Sequence, residues 1–495
     1  MPRLDVILCR ANERFRGEAQ PPETNIFGAF PPLGIAQLAG VVRESGRNVR
    51  LIDGTIENTT PEEMARLIGE GFTGVVGFSS GTLNWRSTLT SIRALKKIAP
   101  KCVVVVGGPQ MDVYPDEVVS FPEVDYGIVG EGEFALVGLI EALETGSDPM
   151  HVPGVVCLRE NRAHRAAPNP PIKELGALPF SALDLLPIAR YKALTVRSPF
   201  TTLITSRGCP FRCHFCSQQY AGGRFRQRPV SHVAEEIEWH IQAFRAKEIL
   251  FFDETFTIGQ KRVIELCHAI RDLGVKVGFN IRARADTITY EMAVALKEAG
   301  CTSVNMGIES GTDRILKVMN KGVTSEQMAK GIEMCRKAGL TSRGYFMLGY
   351  KGETREEIEE TIRFAVESGL DFASFTVTQL NPATVDYETE LFNGETEDYW
   401  RDYTLMKDVP ATPPRPRNPQ YSEDELQDFL RSAYRRFYLR PAQIGRYATN
   451  RRILQWTADT LLAPGNAMRI FSELMRPAYL STGGSNIRQV AEGVG

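Results

Sequence analysis

The chain has 495 residues, too many for one ordinary hydrophobic core, so roughly two to four domains are expected. Hydrophobic residues make up 43%, charged residues 24%, and the net charge is −2, which argues for a soluble globular protein and against nucleic acid as an obligatory partner. The start of the chain lacks the basic-then-apolar pattern of a secretory signal, and no apolar run approaches the roughly 18–20 residues that span a bilayer, so a cytoplasmic protein without a transmembrane segment is expected.

The first region alternates short apolar runs with amphipathic stretches. In chain order the pattern predicts a strand at 4–9, a helix at 33–45 and a strand at 49–53. A helix at 60–70 follows, opened by a Thr60/Glu63 capping box, then a strand at 75–79. A helix at 83–98 and strands at 103–106 and 126–129 complete the series. Val/Ile-rich runs separated by helices mean a parallel, doubly wound sheet, whose ligands sit at the carboxyl ends of the strands. Those ends carry Ser79-Ser80-Gly81-Thr82, Gly107-Gly108-Pro109-Gln110 and Gly130-Glu131-Gly132-Glu133. Glycines admit a ligand close to the backbone and hydroxyls can bond its polar rim, although tight turns alone would also explain such residues.

A Pro-rich stretch with Pro168, Pro170, Pro171, Pro179 and Pro187 reads as a packed linker. A second alternating series then starts. Strands are predicted at 201–205, 248–252, 276–281, 303–308, 342–348 and 372–378, with helices at 231–244, 290–299, 325–338 and 354–368. Six β–α units imply a partial or full parallel barrel with active groups at its carboxyl end. From about residue 395 the pattern turns helical and polar, with an Arg-bearing helix at 424–439. That helix is read as a solvated face, or as a contact with an anionic substrate or membrane surface. The expected domains are 1–145, a linker at 146–195, a barrel at 196–394 and a helical region at 395–495.

Nine cysteines in a reducing compartment do not suggest a disulfide framework. Cys9, Cys102, Cys157, Cys267, Cys301 and Cys335 lie singly in apolar or helical stretches and read as buried small hydrophobes. Cys209, Cys213 and Cys216 share one loop, spaced C-x3-C-x2-C between Gly208 and Ser217. Three thiolates can each hold one iron of a cubane and leave the fourth iron open to a substrate. Structural zinc is the competing reading, but His214, lying between two of the cysteines, is poorly placed to complete a tetrahedron.

Cys209, Cys213 and Cys216, with Phe215 before the last cysteine, resemble the signature of the radical SAM superfamily. The resemblance implies a [4Fe–4S] cluster whose open iron binds S-adenosylmethionine (SAM). One electron cleaves SAM, and the 5′-deoxyadenosyl radical takes a substrate hydrogen. It further implies SAM contacts at Phe215, Asp253, Glu254, Arg282, Glu309, Ser310 and Arg343; ion pairs at the barrel mouth are the alternative for the charged ones.

The preceding doubly wound domain, with its Gly-Gly-Pro-Gln and Gly-Glu-Gly-Glu turns, resembles the cobalamin-dependent branch. That branch includes class B methyltransferases and the anaerobic magnesium-protoporphyrin ester cyclase group. Pro31-Pro32-Leu33-Gly34, Val152-Pro153-Gly154 and Leu178-Pro179 fit the same resemblance. It implies cobalamin held by Ser79, Ser80, Gly81, Thr82, Gly107, Gly108, Gln110, Gly130, Glu131, Gly132 and Glu133. The loop from Arg10 to Leu33 has no histidine, so no histidine of that loop is expected to ligate cobalt. The activity implied is methylation of an unactivated carbon, or else cyclisation, hydroxylation or C–C bond formation with the same cofactors. A non-catalytic cobalamin sensor would need no such cluster. The implied partners are a small-molecule or lipid-like substrate and an external one-electron donor of flavodoxin or ferredoxin type.

Overall fold

The computed structural model describes residues 3–13, 28–193, 196–217, 224–416, 418, 420–441 and 443–445. The Arg10–Leu33 loop falls largely outside the described residues, as do Arg451 and Arg452.

The first sheet contains β1 (Val6–Arg10), β2 (Val49–Asp53), β3 (Val75–Ser79), β4 (Val103–Gly107), β5 (Tyr126–Ile128), β6 (Val155–Arg159) and β7 (Arg162–Arg165), in the order β2-β1-β3-β4-β5-β6-β7. The first five strands run parallel, as their unbroken apolar runs demand, and helices cover both faces. Helices Pro61–Ile68 and Trp85–Ile98 pack through Met64, Leu89, Ile92 and Leu95 on one face. Helices Leu33–Glu44 and Gly132–Thr145 pack through Ile35, Leu136 and Leu139 on the other. The Thr60/Glu63 capping box forms.

The stretch expected as linker begins instead with β6 and β7, an antiparallel hairpin that extends the first sheet past residue 145. Its turn residues Glu160 and Asn161 both have positive φ, the geometry that matches strand twist in a two-residue hairpin. The remaining linker packs against both neighbours. Gln37 donates to the Pro179 carbonyl, and the Tyr191 hydroxyl donates to Asp53 at 2.7 Å.

The second sheet is all parallel. β8 (Phe200–Leu203) precedes a short antiparallel pair, β9 (Ser206–Arg207) and β10 (Arg226–Gln227). β11 (Glu248–Phe251), β12 (Gly278–Arg284), β13 (Cys301–Glu309), β14 (Ser342–Leu348) and β15 (Phe372–Val377) follow. The order β15-β14-β13-β12-β11-β8 is that of a six-stranded open barrel. Its outer face and its helices form the largest core, which also takes in Phe429, Leu430, Ala433 and Phe437 of helix Glu423–Tyr438. That helix covers the open edge of β15. Its Tyr434 and Tyr438 hydroxyls bond the backbone of Phe375 and Ala373, groups that an edge strand would otherwise leave free. Arg431 and Arg436 are paired with Asp428 and Glu359, so two of its cations are already matched.

Beyond β15 the chain crosses back to the first domain. Helix Tyr399–Thr404 lies against it: the Trp85 indole donates to the Thr404 carbonyl at 2.9 Å, and the Gln110 amide donates to the Thr404 hydroxyl at 3.0 Å. All six isolated cysteines are buried, as their apolar settings imply.

Candidate active site

The cysteine loop hangs from the end of β8. Gly208 has φ +81°, and a Cβ there would lie 2.4 Å from the Arg224 carbonyl oxygen, so only glycine fits where the loop crosses itself. Cys209, Cys213 and Cys216 are all half-buried and free of disulfides. The Asn320 amide donates to the Arg212 carbonyl, and the His214 N–H donates to the Met319 carbonyl, tying the loop to the turn after helix Asp313–Val318. The Arg284 guanidinium sits 3.7 Å from the centre of the Phe211 ring, and the Lys321 ammonium 5.9 Å from that of Phe215. Burial pushes the Cys213 thiol up, while the charges of Lys321 and Arg284 pull it down.

The donor set suits a cluster. In a cubane each thiolate binds a different iron, so the three sulfurs need not converge on one point. Among the described residues no trio of His, Cys, Asp or Glu side chains converges on a single ion, as tetrahedral zinc would require.

The expected SAM contacts separate into two groups. Glu309 ends β13 at a register shift, with φ +68°, and its carboxylate meets the Lys321 ammonium at 3.3 Å. A Cβ on Gly307 would lie 2.4 Å from that carboxylate, so the glycine lets Glu309 fold over it. Glu254 is half-buried. Burial and the neighbouring Asp253 charge raise its carboxyl, while Arg207 and Arg282 oppose them. Arg282 is exposed, with its guanidinium 4.7 Å from the centre of the Phe252 ring. Of the three, Glu309 already holds Lys321, so any ligand would share its carboxylate.

The other four each have protein partners of their own. Asp253 is fully buried and accepts from the Thr205 N–H, the Thr205 hydroxyl and the Ser206 hydroxyl. It pins the chain after β8, and burial raises its carboxyl. Ser310 is buried against the Thr361 hydroxyl at 3.1 Å. Phe215 packs with Ile315, Met319 and Tyr350 as an anchor. Arg343 is the second residue of β14, in register with the first residue of β15, so it sits near the amino end of its strand. There its guanidinium lies 5.3 Å from the centre of the Phe372 ring.

The first domain also divides. A sheet ordered 2-1-3-4-5 opens its ligand crevice beyond the carboxyl ends of β1 and β3. Ser79, Gly81, Gly107 and Gly108 are half-buried on that rim, and a Cβ on Gly107 would meet nothing within 4 Å. This backbone-lined rim fits a large ligand approaching edge-on. Thr82 is buried just behind it. Ser80 is buried and bonded to the Thr88 hydroxyl; Gln110 is buried, its amide N–H donating to the Thr404 hydroxyl while its Oε1 meets no protein donor among the described residues. Gly130 is exposed beside Asn169, while Gly132 packs closely on Leu38.

Glu131 and Glu133 are ion-paired to arginines beside the cysteine loop. Arg207 pairs with Glu131 at 3.0 Å and with Glu133 at 2.5 Å, and Arg226 pairs with Glu131 at 2.8 Å. Burial would raise the Glu131 carboxyl, but hydrogen bonds from Arg226 and the Ile172 N–H, with the Arg207 charge, hold it below the usual range. Arg207, Arg226, Arg284 and Lys321 escaped the sequence reading. Arg207 and Arg226 flank the cysteines in sequence, but Arg284 and Lys321 lie far along the chain, where no local signal marks them.

Residues 203–365 match the Radical SAM superfamily, and residues 24–140 match the B12 binding domain. An uncharacterised methyltransferase of Pyrococcus horikoshii is 35% identical over 414 residues, covering 83% of this chain and 88% of the relative. The chain belongs to the cobalamin-binding radical SAM family. Its cofactors are a [4Fe–4S] cluster, SAM and cobalamin. An anaerobic magnesium-protoporphyrin IX monomethyl ester cyclase of Rubrivivax gelatinosus is 28% identical, covering 84% of this chain and 75% of the relative. The structure of the radical SAM methyltransferase TsrM from Kitasatospora setae, with cobalamin and cluster bound, superposes with a TM-score of 0.65 at 19% identity, over 78% of this chain and 77% of that one. The shared fold places a B12 binding domain before a radical SAM barrel. No helix among the described residues is long and apolar enough to cross a membrane.

Proposed function

We propose that this radical SAM enzyme methylates an unactivated carbon of a small-molecule or lipid-like substrate, drawing single electrons from a flavodoxin- or ferredoxin-type donor. The observation that carries the reading is the meeting of two ligand-bearing ends: the turn after β5 of the cobalamin domain touches the chain just after β8, two residues before Cys209. A substrate between them would reach both cofactors. When bound, these cofactors supply a SAM-derived radical and a transferable methyl group.

The protein's part is to hold and orient. Cys209, Cys213 and Cys216 hold the cluster. Glu254 and Glu309 are placed to receive the ammonium of SAM, and Arg282 its carboxylate. Ser79, Gly81, Thr82, Gly107 and Gly108 line the path for cobalamin. The packed linker and the returning helix Tyr399–Thr404 close the seam and keep water from the radical.

The relatives support both outcomes, since one is named a methyltransferase and the other a cyclase. Anaerobic turnover with mass spectrometry decides between them. Methyl transfer consumes two SAM per product, giving one S-adenosylhomocysteine and one 5′-deoxyadenosine. A product without the added methyl mass refutes methyl transfer and leaves cyclisation, hydroxylation or C–C bond formation.

A further inference from the structure

The cysteine loop is closed by a neck too weak to hold itself. β9 and β10 are two residues each, and their register sets Arg207 directly opposite Arg226. Like charges at opposed positions destabilise a strand pair, and so short a ladder gives little in return. The compensating charges come from the other domain. Glu131 takes Arg226 through both guanidinium branches, at 2.8 and 2.9 Å, and takes Arg207 at 3.0 Å. Glu133 takes the second branch of Arg207 at 2.5 Å. The linker joins at the same point: the Ile172 N–H donates to Glu131, and its carbonyl accepts from Arg226.

The four side chains are 6–21% exposed, so water screens them little. Removing one partner leaves another charge buried and unmatched. Both carboxylates stand at the start of helix Gly132–Thr145, whose far side packs on the domain core. They are therefore a rigid reference carried by the cobalamin domain.

We propose that Glu131 and Glu133 are positioning residues: through Arg207 and Arg226 they fix the cysteine loop, and hence the cluster, at a set separation and orientation from the cobalamin crevice. The cluster loop reaches its working shape only when the first domain is docked on it. This rests on the reading that the three cysteines hold the cluster and the β1/β3 crevice holds cobalamin.

The test uses the full chain with both cofactors loaded. Iron, sulfide and cobalamin contents are measured first, so that failure of the underlying reading shows as a missing cofactor in the parent protein. Pulsed EPR then reads the magnetic coupling between the reduced cluster and Co(II). The parent is expected to give one narrow coupling. Glu133→Gln is isosteric and Arg226→Gln shortens the side chain and removes its charge; both are expected to retain both cofactors, yet to lose the single narrow coupling. They should also form 5′-deoxyadenosine in excess of product. A purely structural role would lower stability without moving either ratio or coupling. Should Glu133→Gln fail to fold, Arg226→Gln, which leaves both carboxylates in place, decides alone. An unchanged coupling in a loaded variant overturns the proposal.

Discussion

The two parallel sheets end in turns of opposite character. At the carboxyl end of the first sheet the polar side chains are spent within the protein: Ser80 on Thr88, Gln110 on Thr404, Glu131 and Glu133 on two arginines. What faces the crevice is backbone and glycine. At the mouth of the barrel Arg282 is exposed, Glu254 is half-buried, and Glu309 holds a single partner among the described residues, Lys321, at 3.3 Å. The difference matches the ligands. Cobalamin is large and carries its own polar rim, so shape and close backbone approach suffice. SAM is small and zwitterionic, so its recognition needs fixed charges.

Several substitutions can break or sharpen this contrast. The largest effect is expected from Cys213→Ser, because losing one of three thiolates removes the cluster. Iron content should collapse and SAM cleavage disappear, while cobalamin still binds the first domain. Loss of cobalamin as well would mean that the two sheets are not independent binding units. Next, Glu309→Gln removes a charge without changing volume. SAM binding should weaken roughly ten- to hundredfold, the weight of a charge-assisted hydrogen bond of roughly 1.5–3 kcal/mol. Isothermal titration of the loaded protein measures it, and unchanged affinity removes Glu309 from the SAM site.

Gly107→Val probes the other sheet by shape alone. The position has open space, so the fold should persist, but the branched side chain would stand in the crevice. Cobalamin affinity should fall severalfold in equilibrium dialysis, and cluster content should not move. The smallest effect concerns stability. Glu353 caps the turn after β14 by accepting from the Gly349 and Tyr350 N–H groups, and burial pushes its carboxyl up to about 7 against those bonds. A raised acid favours the neutral folded form. Its contribution is therefore complete below the ordinary value of 4.5 and is lost as pH rises through about 7. Denaturation midpoints of Glu353→Gln should show a flatter fall over that window than the parent. A parallel fall would acquit Glu353.

Much of the architecture was legible because it is periodic. β2, β3 and β14 match their predicted bounds, and the Thr60 capping box is a local pattern. The β6–β7 hairpin was missed because its strands are short and its turn, Glu160-Asn161, has no glycine to announce it. The site was legible only in part. The sequence set Asp253 and Glu254 side by side as expected SAM contacts, but not that Asp253 is fully buried while Glu254 is only half-buried.

By itself the sequence determined the two ligand chemistries of this protein. Thiol spacing and strand–helix alternation are local properties, readable within a few residues. Only the tertiary structure decided which polar residues are free to use them. Asp253 finds Thr205 across 48 positions, Glu131 finds Arg207 across 76, and Gln110 finds Thr404 across 294. A carboxylate is a ligand or a brace according to what folding brings beside it. In this chain folding brought the glycine-flanked Glu131 and Glu133 beside Arg207, two residues before the first cysteine of the cluster loop.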